Sequence, residues 1–567
     1  MKLRIGILAL LIPLLIFSSQ PEYAASRAPV RAGRGMVVST ESRATDAGLE
    51  ILRNGGNAVD AAVAVGFALA VTHPAAGNLG GGGFMMIRLA PTGQVVAIDY
   101  REMAPARATE TMYQNAAGEV QEKSSTIGYR ASGVPGTVAG LSLALEKYGT
   151  LPLAQVMAPA IRLARDGVNL SYFESESLRN SRKLLDRFPE SRRIFLRDGE
   201  PYQAGDKFVQ PELARTLELI AQKGAREFYQ GSIAKLIAAD MAANGGTVTL
   251  DDLKNYKVVV RRPIEGEYRG CKIFSMPPPS SGGITLMEML NILENYPLSR
   301  YGAGSSRTLH LVAEAMKRAF ADRAEFLGDA DFVKVPSDGL ISKSYARERL
   351  KTIDPFLSSE AASLGHGNPA PYESEQTTHF SIVDENGNAI ANTYTLNGGY
   401  GSGVTVPGAG FLMNNEMDDF SAKPGSPNAY GLVHGKANAI APQKRPLSAM
   451  TPTIVVKDGK LFLVLGSPGG PTIINTVLQT MLNVIDFGMS VQEAVDAPRI
   501  HHQWMPDRLA LERIGFSEDV IQALRSRGHN IEVRGLIGDC QAIMVDPQTG
   551  TRMAAADPRL DGKAAGY

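Results

Sequence analysis

Apolar and polar positions alternate along this chain with two periods, helical and strand-like, that succeed one another in a definite order. The stretch STESRATDAGLEILRNGGNAVDAAVAVGFALAVTHP carries helical spacing twice, broken at Gly55-Gly56. Asn57 followed by Asp60 predicts an N-cap with an acid at the third helical position, and His73-Pro74 ends that second helix. From Ala58 to Val71 this helix is apolar nearly all round, so it is expected between layers of the fold. GNLGGGGFMMIRLAPTGQVVAIDYREMAP then reads as a glycine-rich loop and two strands joined at Thr92-Gly93.

Helical periods dominate from about Gly133 to about Asp331, as in GTVAGLSLALEKYG and TLMEMLNILENY. Pro355 to Glu375 is rich in Ser, Gly and Pro without a period, which predicts an exposed linker. From Thr377 strands return in THFSIVD, NAIANTYTL, GFLMNN and PTIVVKDGKLFLVLG, and helices follow in PTIINTVLQTMLNVI and SVQEAVDAP. Strands at both ends with helices between them predict an α+β fold, two stacked sheets covered by helices on both outer faces.

Charge narrows the partners. Across 567 residues Lys plus Arg number 58 and Asp plus Glu 58, so no global field recruits nucleic acid or an anionic membrane, and a small partner is expected. At the N-terminus Lys2 and Arg4 precede an apolar run, Ile5 to Phe17, too short to span a bilayer and interrupted by Pro13. This predicts a secretory leader over residues 1–28, cut after Ala24, Ala25 or Ala28, and a mature chain in a periplasm or outside the cell without a stable membrane anchor. Cys271 and Cys540 are the only cysteines, which excludes a disulfide framework and leaves their pairing open. Of eight histidines the only close pair, His501-His502, is adjacent, so metal chemistry is disfavoured and no cofactor is expected.

The chemistry concentrates where the linker meets a strand. Thr377 and Thr378 stand behind Gln376 there. A threonine hydroxyl is a weak nucleophile without a base, and cutting the Gln376–Thr377 bond would free an α-amine of pKa near ~8 on the same residue. The competing reading is a β-branched residue that merely opens a strand. In LVLGSPGGPTIIN a strand ends, and the Gly469 and Gly470 N–H groups ahead of a helix are suited to developing negative charge, an oxyanion hole. A glycine turn without a ligand is the alternative. GNLGGGG lacks the Lys-Ser/Thr ending of a phosphate loop and is assigned to close packing.

ESEQTTHFSIVD, YTLNGGYGSG, NNEMDDFS, KRPLSAMTPTIVVKDGK and LGSPGG resemble successive signatures of the γ-glutamyltranspeptidases, N-terminal-nucleophile (Ntn) hydrolases. GGNAVDAAVAVGFALAVTHP, GNLGGGGFM, YREMAP and MPPPSSGGI are similar to the same family's other half. The resemblance implies a four-layer αββα precursor that cleaves itself into a large subunit, 29–376, and a small one, 377–567, together one intertwined domain. It implies Thr377 as nucleophile, Thr395 aligning it, and Arg101 clamping the substrate α-carboxylate beside Ser448. Glu416 and Asp419, assisted by Asn397, would take the α-ammonium, and Tyr430 would close over the acyl-enzyme as a lid. Expected substrates are glutathione and other γ-glutamyl compounds, with water, amino acids or dipeptides as acceptors. Ala449 departs from the family's usual pair of serines, and NGGYG lacks hydroxyls that many relatives carry. These departures leave room for a glutaryl-type β-lactam acylase on the same fold, and a third class, a non-catalytic secreted binding protein, predicts a chain that stays whole.

Overall fold

The computed structural model describes residues 26–369 and 380–567. Most of the leader and the Gln376–Thr377–Thr378 junction lie outside the described residues, as does His379. Two seven-stranded antiparallel sheets form the centre. The first runs in the order Lys563–Gly566, Met36–Ser39, Ser381–Val383, Ala389–Thr395, Gly82–Arg88, Val95–Tyr100 and Val259–Arg261. The second runs Val30–Ala32, Arg552–Ala556, Gln541–Val545, Lys460–Gly466, Thr453–Lys457, Cys271–Ser275 and Ile264–Tyr268. Each sheet therefore interleaves strands from both sides of the 376/377 junction, which is why scission there would leave the two pieces hydrogen-bonded together.

The pleat sorts side chains between layers. Phe84, Met86, Ala389 and Ala391 pack against Ile454, Val464, Ile543 and Ala554 of the facing sheet. Their neighbours Met85, Ile87, Ile390 and Tyr394 face the helical layer built on Ala58–Thr72. On the other outer face, helices Gly282–Leu293, Ser306–Phe326 and Thr472–Ile485 cover the second sheet. The arrangement is helix–sheet–sheet–helix, as the strand and helix order predicts.

The Ala58–Thr72 helix begins with the expected capping box, in which the Asn57 side chain accepts from Asp60 N and Asp60 accepts from Asn57 N, and every one of its residues is buried. Asp60 also accepts from Thr150 N and Oγ1, so the cap ties a second chain segment to the helix. Two expectations need correction. GFLMNN does not form a strand: Gly410 adopts φ 73°, and Leu412 and Met413 make only isolated bridges, to Thr405 and Gly80. The helical stretch up to Asp331 contains a hairpin, Ile264–Tyr268 with Cys271–Ser275, that completes the second sheet. The described part of the linker is largely exposed yet anchored, with Lys317 Nζ donating to Ser358 Oγ at 2.6 Å and Trp504 Nε1 to Ala361 O at 2.8 Å. Cys271 and Cys540 are buried and unpaired.

Candidate active site

A cavity of about 290 Å³ opens beside the end of the Ala389–Thr395 strand. Nine of the residues singled out from the sequence line it: Arg101, Thr395, Asn397, Glu416, Asp419, Tyr430, Ser448, Gly469 and Gly470. Gln376 and Thr377 lie outside the described residues. Ala449 lines the cavity too, and so do Ala75 and Arg323, neither of which the sequence reading had named.

The strand delivers its last residues to the cavity because a run of glycines lets main chain approach main chain. A Cβ on Gly81 would stand 2.0 Å from Thr395 O, which explains GNLGGGG as packing. Thr395 Oγ1 accepts from Asn397 N at 2.8 Å. Asn397 takes a left-handed conformation, φ 73°, which asparagine tolerates better than most residues, and its Nδ2 donates to Asn415 O at 3.0 Å.

Glu416–Asp419 forms a short 3₁₀ turn, buried for most of its length, and not the solvated loop that its acid content suggests in isolation. Arg101 is fully buried and reaches this turn: Nη1 donates to Glu416 Oε1, Nη2 to Asp419 Oδ2 at 2.5 Å, and Nε to Pro446 O at 3.2 Å. Glu102 is only a distant partner, 3.6 Å from Nη1. Burial lowers the Arg101 pKa, but Glu416, Asp419 and Glu102 more than offset that and raise it. Glu102 is itself fully buried, and its carboxyl oxygens accept from no N–H or hydroxyl among the described residues; its neighbour is the Glu416 carboxyl, with which it can share a proton. Burial pushes its pKa up to about 7, and burial pushes Glu416 well above the carboxylate range. Three carboxyl groups thus converge on one guanidinium, and a ligand ammonium placed among them would draw the raised carboxyls of Glu102 and Glu416 toward their charged forms.

The third acid of the turn is structural. Asp418 accepts from Ser125 Oγ at 2.7 Å and from Ala429 N at 3.1 Å, pinning the loop that carries Tyr430. Tyr430 Oη donates to Asn397 O at 2.8 Å. Its ring lies 3.1 Å from where a Cβ on Gly470 would sit, so the tyrosine spans the cavity wall between Asn397 and the glycine pair. Gly469 and Gly470 have φ 135° and 56° and precede helix Thr472–Ile485. Their carbonyls accept from Thr472 N and Ile473 N, while their own N–H groups find no acceptor among the described residues. Two unpaired donors at a helix start, beside a cavity, are suited to an oxyanion.

A sequence profile of the Gamma-glutamyltranspeptidase family matches residues 44–567. The chain belongs to this family. It is 54% identical over 541 residues to the glutathione hydrolase proenzyme of Escherichia coli (strain K12), covering 95% of this chain and 93% of that protein. Among solved structures it is similar to a cephalosporin acylase from Bacillus halodurans, with a TM-score of 0.85 at 30% identity over 97% of this chain and 98% of the other. It is also similar to the Helicobacter pylori γ-glutamyltranspeptidase, with a TM-score of 0.58 at 46% identity over 62% of this chain and 99% of that one. The sheet–sheet core and helical outer layers are accordingly those of an Ntn hydrolase. As a γ-glutamyltranspeptidase-family chain it carries one buried cluster with metal-ligand residue types among the described residues, His310, Glu314 and His529. That donor set does not favour a cation. Lys317 and Arg318 stand 3.1 and 2.8 Å from the Glu314 oxygens, and the two histidines bond each other at 2.8 Å.

Proposed function

We propose that this chain is a γ-glutamyl transferase and glutathione hydrolase that activates itself by cleavage between Gln376 and Thr377. The reading is carried by one observation: under a family match spanning residues 44–567, a single cavity gathers the Arg101–Glu416–Asp419 cluster, Ser448 and the unpaired Gly469 and Gly470 amides. In the precursor, the Thr377 hydroxyl attacks the Gln376 carbonyl, and hydrolysis of the resulting ester releases subunits 29–376 and 377–567 with a new α-amine on Thr377.

In the mature enzyme that amine takes the Thr377 hydroxyl proton as the oxygen attacks the γ-carbonyl carbon of the donor. Negative charge develops on the carbonyl oxygen, where the Gly469 and Gly470 amides each contribute on the order of 3 kcal/mol. The γ-amide C–N bond breaks, the departing amine takes the proton from the Thr377 amine, and a γ-glutamyl ester remains on Thr377. Water or the amine of an amino acid or peptide then attacks that ester. Glu416 and Asp419 hold the donor's α-ammonium, and Tyr430 limits entry of water to the ester. The leader sends this activity to a periplasm or the outside.

The similarity to a cephalosporin acylase and the missing hydroxyl at Ala449 favour a second reading, a glutaryl-type acylase. Charge argues against it. A glutaryl group has no ammonium to meet the acids around Arg101, and its ligand charge is wholly negative. Relative kcat/KM on a γ-glutamyl anilide and a glutaryl-cephalosporin decides between them. A γ-glutamyl preference supports the transferase, and a glutaryl preference overturns it.

A further inference from the structure

The motif MPPPSSGGI and helix Ser306–Phe326 meet the cavity through a side chain that the chemistry above leaves unused, Arg323. It lines the cavity yet is only 2% exposed. The other arginines buried as deeply, among the described residues, have a carboxylate in contact: Arg101 has Glu416 and Asp419, Arg318 has Glu314 and Arg499 has Asp557. Arg323 has no carboxylate within 4.0 Å among the described residues, and its hydrogen bond is from Nε to Ser281 Oγ, at 2.7 Å. Burial lowers its pKa to about 10, so the group still carries its charge at neutral pH. A buried cation without a counter-ion is strongly unfavourable unless a ligand supplies one.

Its position identifies that ligand group. Ser448 O accepts from Ser281 N at 2.8 Å, Ser281 Oγ at 2.7 Å and Ser280 Oγ at 2.8 Å, which fixes the Ser448–Ala449–Met450 wall against Arg323. Asp419 attracts Arg323 from beyond ion-pair distance. Arg323 therefore lines one cavity with Asp419, assigned to the α-ammonium, and with Ser448, assigned to the α-carboxylate, whose main chain it reaches through Ser281. Those substituents share one carbon, so a cation next to both positions faces the carboxylate.

We infer that Arg323 is a specificity-determining residue of the donor site, supplying, beside the Arg101 that is already paired with Asp419, positive charge that the donor's α-carboxylate meets where Ala449 brings no hydroxyl. This rests on the γ-glutamyl reading above.

The test compares a γ-glutamyl anilide with a 4-aminobutyryl anilide, which keeps the amine and lacks the carboxylate, in wild type, Arg323→Met and Arg323→Lys. Wild type should strongly prefer the γ-glutamyl donor, and absence of that preference would sink the functional reading itself. Given that preference, Arg323→Met should raise KM for the γ-glutamyl donor at least tenfold with kcat little changed. It should leave kcat/KM for the 4-aminobutyryl donor within twofold of wild type. Arg323→Lys should recover part of the preference, and it supplies the same comparison if the methionine variant does not fold. Parallel losses on both donors, or no loss on either, would overturn the inference.

Discussion

Around Arg101 and around Glu314 the fold buries two charged clusters of similar size, and it completes only one of them. At Glu314 both carboxylate oxygens are held by Lys317, Arg318 and Ser359, His310 and His529 bond each other, and His529 reaches Ser358. No polar side-chain atom of those residues is buried without a partner. At Arg101 three carboxyl groups surround one guanidinium, both Glu102 oxygens and Glu416 Oε2 have no donor beyond a proton the two carboxyls can share, and Arg323 lines the same cavity without a carboxylate in contact. Buried charge by itself therefore does not mark a site. Incomplete buried charge facing a cavity does, because a ligand that completes it gains what the fold left unsatisfied.

The contrast is open to attack first at its structural end. Glu314→Gln leaves Arg318 without a carboxylate partner and Lys317 with only Asp507, 3.8 Å away, and is expected to cost about 3–5 kcal/mol of stability. Activity per folded molecule should stay within twofold, checked by urea denaturation and active-site titration. A tenfold loss of kcat in the folded fraction would erase the distinction between the clusters.

The two clusters should also respond to pH with opposite sign, each by a few kcal/mol. Burial holds the His529 pKa near about 3, below its unfolded value, so the unfolded chain binds more protons between the two. Its stability contribution is complete above pH ~6.5 and is lost as pH falls toward 3. Glu102, raised to about 7 by burial, keeps a proton that the unfolded chain releases above pH ~4.5. Its contribution is present at low pH and is lost as pH rises from ~4.5 through 7. His529→Gln should flatten the acid side of a stability–pH curve and Glu102→Gln the neutral side; a change of the same sign in both would break the comparison.

Within the cavity, Ala449→Ser adds a hydroxyl to the wall that carries Ser448. It should tighten γ-glutamyl donor binding by roughly 1.5–3 kcal/mol, read as a fall in KM of tenfold or more. No change in KM would weaken the assignment of this wall to the α-carboxylate. The smallest effect is expected for Tyr430→Phe, which loses the 2.8 Å bond to Asn397 O, worth about 1 kcal/mol. The hydrolysed share of product should rise against the share transferred to a dipeptide, and an unaltered partition would remove Tyr430 from the role of lid.

Local signals made much of this architecture legible. The Asn57–Asp60 cap, the all-apolar helix after it and the Thr453–Gly466 hairpin follow from spacing alone. The Ile264–Ser275 hairpin escaped notice because it sits among strong helices, and its alternation is short and half polar. GFLMNN has strand-like composition, but Gly410 and the demands of the Gly80 contact take its main chain out of any ladder. Within the site, motifs identified residues on loops and turns. They did not identify Arg323, which lies on a helix carrying several other charges, nor the part of Glu102, whose burial only the packed sheets create. Partnerlessness is a property of three-dimensional surroundings, and no one-dimensional pattern encodes it.

The central claim is that Thr377 acts only once it has become an N-terminus. Peptide mapping by mass spectrometry of catalytically active protein, stopped during turnover of a γ-glutamyl donor, tests it most directly. The account predicts two fragments, the smaller starting at Thr377 and carrying a γ-glutamyl ester on that residue. Full activity from a chain still continuous across Gln376–Thr377, or an acyl group on any other side chain, would contradict it.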